Sequence, residues 1–252
     1  MTALFAIFFF CLGACLASFA GLLAARLNTG ESIVRGRSRC DACGSSLGSR
    51  DLIPIFSWLF SNGRARCCGA RISVSSTLGE LTLGALFSLA FFKIGLSQLL
   101  LLFLLALILL YALVCYDLAH QILPPLLLYP FVALGLLYAF LASPPHTALL
   151  PTFVVASAIG VFFLLVHVLS RGRAMGLADA PLSFALALFA SPRALAGFAF
   201  SFWIGAAVGL LIVAFGGGKM KSEVPLAPFL ALGFLLAYFI PWDPFAALLA
   251  SL

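Results

Sequence analysis

The chain has 252 residues, 64% of them hydrophobic and only 9% charged, whereas a soluble domain carries about 25% charged residues; a fold exposed to water on all sides is excluded. The net charge of +6 comes without the aromatic-basic module of a nucleic-acid binder, so nucleic acid is excluded as a partner and the basic residues are read as membrane-flanking.

In chain order, apolar segments fall at about 3–25, 78–95, 97–116, 122–141, 147–169, 176–190, 194–215 and 225–249, most near the 20 residues a transmembrane helix needs. The reading is an all-α, polytopic membrane protein of about eight transmembrane helices, with membrane lipid as its surroundings. It divides into a first transmembrane helix (1–25), a basic, cysteine-containing cytoplasmic loop domain (26–76) and a transmembrane domain (77–252). The opening MTALFAIFFFCLGAC lacks a basic n-region, so the first segment is expected to be retained as helix. Short turns separate the later segments: Gly95-Leu96-Ser97, Ser143-Pro144-Pro145-His146, Ser191-Pro192-Arg193, and Gly216 to Lys221. Segment 176–190 is the shortest and opens on a polar cluster.

Charge tests the topology. Placing loop 26–76 in the cytoplasm puts Arg26, Arg35, Arg37, Arg39, Arg50, Arg64, Arg66, Arg71, Arg171, Arg173, Lys219 and Lys221 on that side. Only Lys93 and Arg193 fall on the other. Twelve against two agrees with the positive-inside rule.

Of eight acidic residues, Glu31, Asp41 and Asp51 sit in the basic loop as expected ion-pair partners, Glu223 lies in another basic loop, and Asp243 lies near the far end of the last segment. Glu80 lies just inside the second span. Asp117, in YALVCYDLAHQILPP, and Asp179, in RAMGLADAPLSF, remain. A carboxylate at the hydrocarbon edge marks function by default, although a single one also suits a helix cap. Two at comparable depth on one side can meet if their helices are neighbours. They can then share a proton and offer a base and an acid together, as hydrolysis of a peptide bond requires. Proton- or cation-coupled transport through the same aspartates is the alternative.

Cys11, Cys15 and Cys115 lie in apolar segments as small hydrophobes. Cys40-x2-Cys43 and Cys67-Cys68 lie in the loop, and four thiolates suit a structural zinc ion. Adjacent Cys67 and Cys68 point in different directions, so free cytoplasmic thiols stay open as the other reading. His120, His146 and His167 form no metal-ligand set by spacing; His120, three residues after Asp117, could tune it.

An ordered series of motifs resembles the type IV prepilin peptidase family, membrane aspartyl proteases related in chemistry to the GxGD type. It comprises Ala17-Ser18-Phe19 with Arg26-Leu27, Arg39-Cys40-Asp41-Ala42-Cys43, Leu52-Ile53-Pro54, Ser57-Trp58-Leu59, Gly63, Arg66, Cys68-Gly69, Ile72-Ser73 and Glu80. Asp117 with Ile122-Leu123-Pro124, Gly176-Leu177-Ala178-Asp179, Val224-Pro225, Pro228-Phe229 and Gly233 complete it. The resemblance implies an enzyme of the bacterial inner membrane with Asp117 and Asp179 as catalytic residues on the cytoplasmic side. It would remove the basic leader of type IV prepilins or pseudopilins after a Gly. It also implies N-methylation of the new N-terminus with S-adenosylmethionine, although no G-x-G-x-x-G fingerprint occurs. Departures stand at Pro125, where the family commonly has Asp, at Ala178, where it has Gly, and at Pro181, where it has Lys. The family's second C-x2-C would place a Cys at Ala65. A catalytically degenerate relative that only binds pilin-like helices is the reading these departures leave open.

Overall fold

The computed structural model describes residues 1–29, 38–40, 42–143, 149–215 and 225–245. Glu31, Arg35, Arg37, Asp41, Pro144, Pro145, His146, Gly216, Lys219, Lys221, Glu223 and Val224, which figure in the reading above, lie outside these residues. Helices dominate: α1 (Thr2–Arg26), α2 (Phe56–Phe60), α3 (Val74–Ile94), α4 (Gln98–His120), α5 (Pro125–Ala142), α6 (Leu149–Ser170), α7 (Asp179–Ala190), α8 (Ala194–Phe215) and α9 (Ala227–Phe239). Six of them, α1, α3, α4, α5, α6 and α8, are long and apolar enough to cross a membrane, while α7 and α9 are shorter apolar helices. The eight expected apolar helices are therefore present, in two compact units, Met1–Leu100 and Leu101–Leu252.

In the first unit α1 and α3 pack through small residues. Lipid offers helices no hydrophobic drive to associate, so close backbone approach and van der Waals contact must do it. Ala14, Ala17, Ala20 and Ala24 are buried along α1. A Cβ on Gly13 would lie 2.7 Å from the Leu83 carbonyl, and one on Gly84 would lie 2.9 Å from that of Phe10. Above this seam Phe9 and Phe91 stack at 5.1 Å, and the Ser88 hydroxyl donates to the Ala6 carbonyl at 2.7 Å. Gly84→Leu is expected to destabilise this unit by about 1–3 kcal/mol, the usual cost of overpacking; a lower melting temperature of the detergent-solubilised protein, with reduced yield from membranes, is the measurement.

Between α1 and α3, the loop carries two tight hairpins, a 3-10 turn at Ser49–Asp51 and α2. Asp51 pairs with Arg66 at 3.6 Å, as the loop's charge balance led one to expect. Glu80 is buried in α3, and its Oε2 accepts from the Ile55 amide at 2.7 Å. Ile55 has φ +65°, a region a β-branched residue rarely enters. The buried carboxylate thus holds a strained turn of the loop against α3.

In the second unit, the segment that looked least secure as a span is the centre of the bundle. With 12 residues α7 is about 18 Å long, too short for the roughly 30 Å hydrocarbon core, and ten of those residues are buried. It packs against α5, α6, α8 and α9, which screen it from lipid, so its length need not match the bilayer. Gly135 of α5 and Gly160 of α6 let those helices close on it, for a Cβ at either would lie 3.3 Å from Phe189 or 3.1 Å from Phe184. Phe103 of α4 stacks on Tyr238 of α9 at 4.4 Å, and the Tyr238 hydroxyl meets that of Tyr138 at 2.9 Å. Far from the α7 N-terminus, these contacts tie α4, α5, α7 and α9 together.

Candidate active site and cysteine centre

Asp117 lies in the last turn of α4 and is 6% exposed. Its Oδ2 accepts from the backbone amide of Ala227 at 3.1 Å. Ala227 opens α9, and the first amides of a helix have no partner within it and carry partial positive charge. A carboxylate in an apolar setting therefore finds both a hydrogen bond and a favourable field. Pro228, the second residue of α9, contributes no amide that would need pairing there.

Asp179 is the first residue of α7 and is 8% exposed. Its Oδ2 accepts from the Gly176 amide at 3.0 Å, a turn that folds the 171–178 loop back onto the helix it precedes. Asp117 bonds the first residue of α9, and α7, which Asp179 opens, packs against that helix. The C-terminal ends of α4 and α6 and the N-terminal ends of α7 and α9 thus gather at one end of the unit, in agreement with chain alternation. Each aspartate commits one oxygen to an amide of the scaffold, which leaves Oδ1 for water or substrate. The backbone partners at Ala227 and Gly176 were not legible in the sequence, since any residue but proline supplies an amide.

His120, the histidine nearest Asp117 in sequence, is exposed and lies against the ring of its own helix neighbour Tyr116, with centroids 4.4 Å apart. The histidine linked to an aspartate is His167 at the end of α6, whose Nδ1 lies 2.9 Å from the carbonyl of Met175, the residue before the Gly176 amide that bonds Asp179. Nothing in its spacing signalled this, because a loop of eight residues brings the two together.

The four loop cysteines converge, with their sulfurs all within 4.8 Å of one another. Cys40 and Cys68 lie 3.8 Å apart, Cys43 and Cys67 3.4 Å, and Cys67 and Cys68 3.8 Å. Tetrahedral zinc with bonds of about 2.3 Å separates its sulfurs by about 3.8 Å, so the set fits that ion. The expected divergence of adjacent cysteines does not keep Cys67 away.

Two matching hairpins build this cluster. The Cys40 amide donates to Ser45 at 2.9 Å and that of Gly44 to Cys40 at 2.8 Å. Ala65 likewise donates to Ala70 at 2.8 Å, and Gly69 to Ala65 at 2.7 Å. Bridges join Arg39 to Ser46 and Arg64 to Arg71, and Gly44 and Gly69 both take φ +71°, a left-handed turn that suits glycine. In this correspondence Cys68 matches Cys43, buried Ala65 stands where Cys40 stands, and Cys67 matches Ala42. The thiols are unequal. The Ser45 hydroxyl and amide, helped by Cys67, hold the Cys43 thiol down at about 6. At Cys68 the Ala70 amide favours the thiolate, but desolvation and the three neighbouring sulfurs push it up to about 11.

Comparison with known proteins gives the family. Residues 11–94 match the Bacterial Peptidase A24 N-terminal domain. Over 227 residues, 87% of this chain and 67% of the relative, the sequence is 36% identical to a prepilin leader peptidase/N-methyltransferase of Myxococcus xanthus. It is 32% identical over 233 residues to the protein of that name from Bacillus subtilis, covering 91% of this chain and 92% of the relative. With the one from Dichelobacter nodosus it shares 32% over 207 residues, or 80% and 70% of the two chains. The chain belongs to the prepilin leader peptidase/N-methyltransferase family. No solved structure matches it.

As a member of this family of prepilin peptidases, the chain is an enzyme, and its departures from the family pattern can be weighed by geometry. Ala178 has φ −71° and ψ −15°, right-handed helical values that any L-residue adopts, so glycine's freedom is not required there. Pro125 is the first residue of α5, where its ring presets φ and no amide partner is lost. Pro181 is the third residue of α7, within the turn whose amides have no helical partner. All three substitutions are conformationally neutral. Ala178→Gly is accordingly expected to change prepilin cleavage by less than about twofold, measured as initial rates on a single prepilin.

Proposed function

We propose that this protein is a membrane aspartyl endopeptidase that removes the leader of type IV prepilins or pseudopilins at the cytoplasmic face of the bacterial inner membrane. It cuts after a Gly, ahead of the substrate's hydrophobic helix, with Asp117 and Asp179 as the reacting carboxyls. What carries the reading is that two buried carboxyls from α4 and α7 lie at one end of one bundle, each with Oδ2 held by a backbone amide. Arg171 and Arg173 lie in the loop that leads to Asp179, a basic loop of the kind the positive-inside rule reads as cytoplasmic, where a basic substrate leader would remain.

The chemistry follows from the pairing. One carboxylate takes a proton from water, whose oxygen attacks the scissile carbonyl carbon. The other group, protonated, hydrogen-bonds the carbonyl oxygen, and a proton reaches the leaving nitrogen as the C–N bond breaks. The products are a leader ending in a carboxylate and a mature chain with a free amine. The two carboxyls act as one titrating unit, so the roles are not divided between them.

Cys40, Cys43, Cys67 and Cys68 hold one structural zinc ion in this reading, which fastens the two hairpins of a loop too polar to fold around a large core. S-adenosylmethionine, when bound, supplies the methyl group for the N-methylation named in the family. A cavity of about 440 Å³ in the first unit fits that group in size and chemistry, with Arg39, Arg64 and Arg71 for its carboxylate, Trp58 for its adenine, and Ser18 and Glu80 as polar partners. Mass spectrometry of a prepilin N-terminus after co-expression tests both activities. A leader removed at Gly supports the peptidase, an added methyl mass supports the second activity, and an intact leader rejects the proposal.

A further inference from the structure

The loop between α6 and α7 is built around His167. The Gly172 amide donates to the His167 carbonyl at 2.8 Å, and the Ser170 hydroxyl donates to it at 3.2 Å. Ser170 Oγ accepts from the Ala174 amide at 3.2 Å. Gly172 takes φ +74°, and a Cβ there would lie 3.3 Å from the imidazole. The chain therefore turns back over the ring, bringing the Met175 carbonyl to 2.9 Å from His167 Nδ1. A carbonyl oxygen only accepts, so Nδ1 carries the hydrogen and the tautomer is fixed at that nitrogen.

The peptide that accepts from His167 also donates to Asp179. Met175 C=O and Gly176 N–H belong to one planar group, and the amide side lies 3.0 Å from Asp179 Oδ2. In a trans peptide the C=O and N–H bonds point opposite ways, so their dipoles add and a continuous series runs from imidazole N–H through C=O and N–H to the carboxylate. Hydrogen bonds in such a series polarise one another, and each end restrains rotation of the peptide.

We propose that His167 is a positioning residue for Asp179, acting through the Met175–Gly176 peptide; the inference rests on Asp179 being a reacting carboxyl. Without the Nδ1 donor, the Met175 carbonyl loses its partner at the membrane edge, the peptide can turn, and the Gly176 amide leaves Oδ2. Asp179 then loses the restraint that presents Oδ1 to water. The effect falls on turnover, because His167 touches the carboxyl's scaffold and not the substrate.

The test is cleavage of a purified prepilin by the full-length enzyme in detergent. His167→Asn places an amide N–H where Nδ1 stood, whereas His167→Gln and His167→Leu do not. The Asn variant is expected to keep kcat within about threefold of wild type. Gln and Leu should each lose at least about tenfold in kcat with KM within twofold, as misplacement of a reacting group predicts. Should the Leu protein not be recovered folded, the Asn–Gln comparison decides alone. The inference is overturned if Asn and Gln are equally impaired, if Gln turns over like wild type, or if the loss lies in KM. Asp179→Asn is measured beside them. If it is inactive while Gln is normal, only the role of His167 falls; if it is fully active, the catalytic reading and this inference fall together.

Discussion

Prepilin processing is expected to stop when either Asp117 or Asp179 is replaced by Asn, with each variant slower by roughly 10²- to 10⁴-fold. Asn keeps the shape of the side chain, and its carbonyl oxygen can accept from the Ala227 or Gly176 amide as Oδ2 does now. The scaffold therefore survives, and what is lost is the ability to take or hold a proton beside the partner carboxyl. Because the two groups work as one unit, the double variant should be no slower than the worse single one. Asp243, whose Oδ1 accepts from the Phe245 amide, lies beyond α9 at the opposite end from Ala227. Asp243→Asn should therefore process normally and serves as the control. The readout is the mass of the substrate's N-terminus at fixed enzyme abundance. Normal cleavage by either single Asp variant would remove the dyad.

One zinc per chain is the expected result of elemental analysis on the purified protein, and Cys67 is the informative ligand. Its hairpin has alanine at the position matching Cys40, so the fourth sulfur comes from the residue matching Ala42, one place before Cys68. Cys67→Ser should leave three sulfurs and lower zinc affinity by at least roughly 10- to 100-fold, so that the metal is lost on dialysis against a mild chelator. Adding Ala65→Cys to that variant should restore it. Ala65 is 8% exposed and Cys40 9%, so the two hairpins would then present like residues at like positions. Zinc retained in full by Cys67→Ser, or no gain on adding Ala65→Cys, would show that Cys67 is not a ligand. Wild-type protein without zinc would remove the metal altogether.

Much of the architecture was legible because lipid imposes a simple rule. Backbone groups in hydrocarbon must pair within their own segment, so long apolar runs had to be helices, and their number followed from counting. Segment 176–190 shows where that rule ends. It is too short to span, yet it forms the most enclosed helix because glycines on α5 and α6 let neighbours shield it, and a run of apolar letters does not reveal which neighbours it has. The departures at Pro125, Ala178 and Pro181 raised the possibility of a degenerate enzyme; backbone angles and helix positions, absent from the sequence, show that none strains the fold.

Residue type alone singled out Asp117, Asp179 and the four cysteines, since ionisable and metal-binding groups are too costly near lipid, or too specific in chemistry, to pass as filler. What holds them belongs to the tertiary structure. The amides of Ala227 and Gly176, the turn that carries Met175 to His167, and the hairpin correspondence that brings Cys67 beside Cys68 all depend on backbone position. Sequence names the groups that can react, because reactivity resides in side chains; only the fold sets their partners, because a peptide amide or carbonyl acts through where it points and every residue type supplies one.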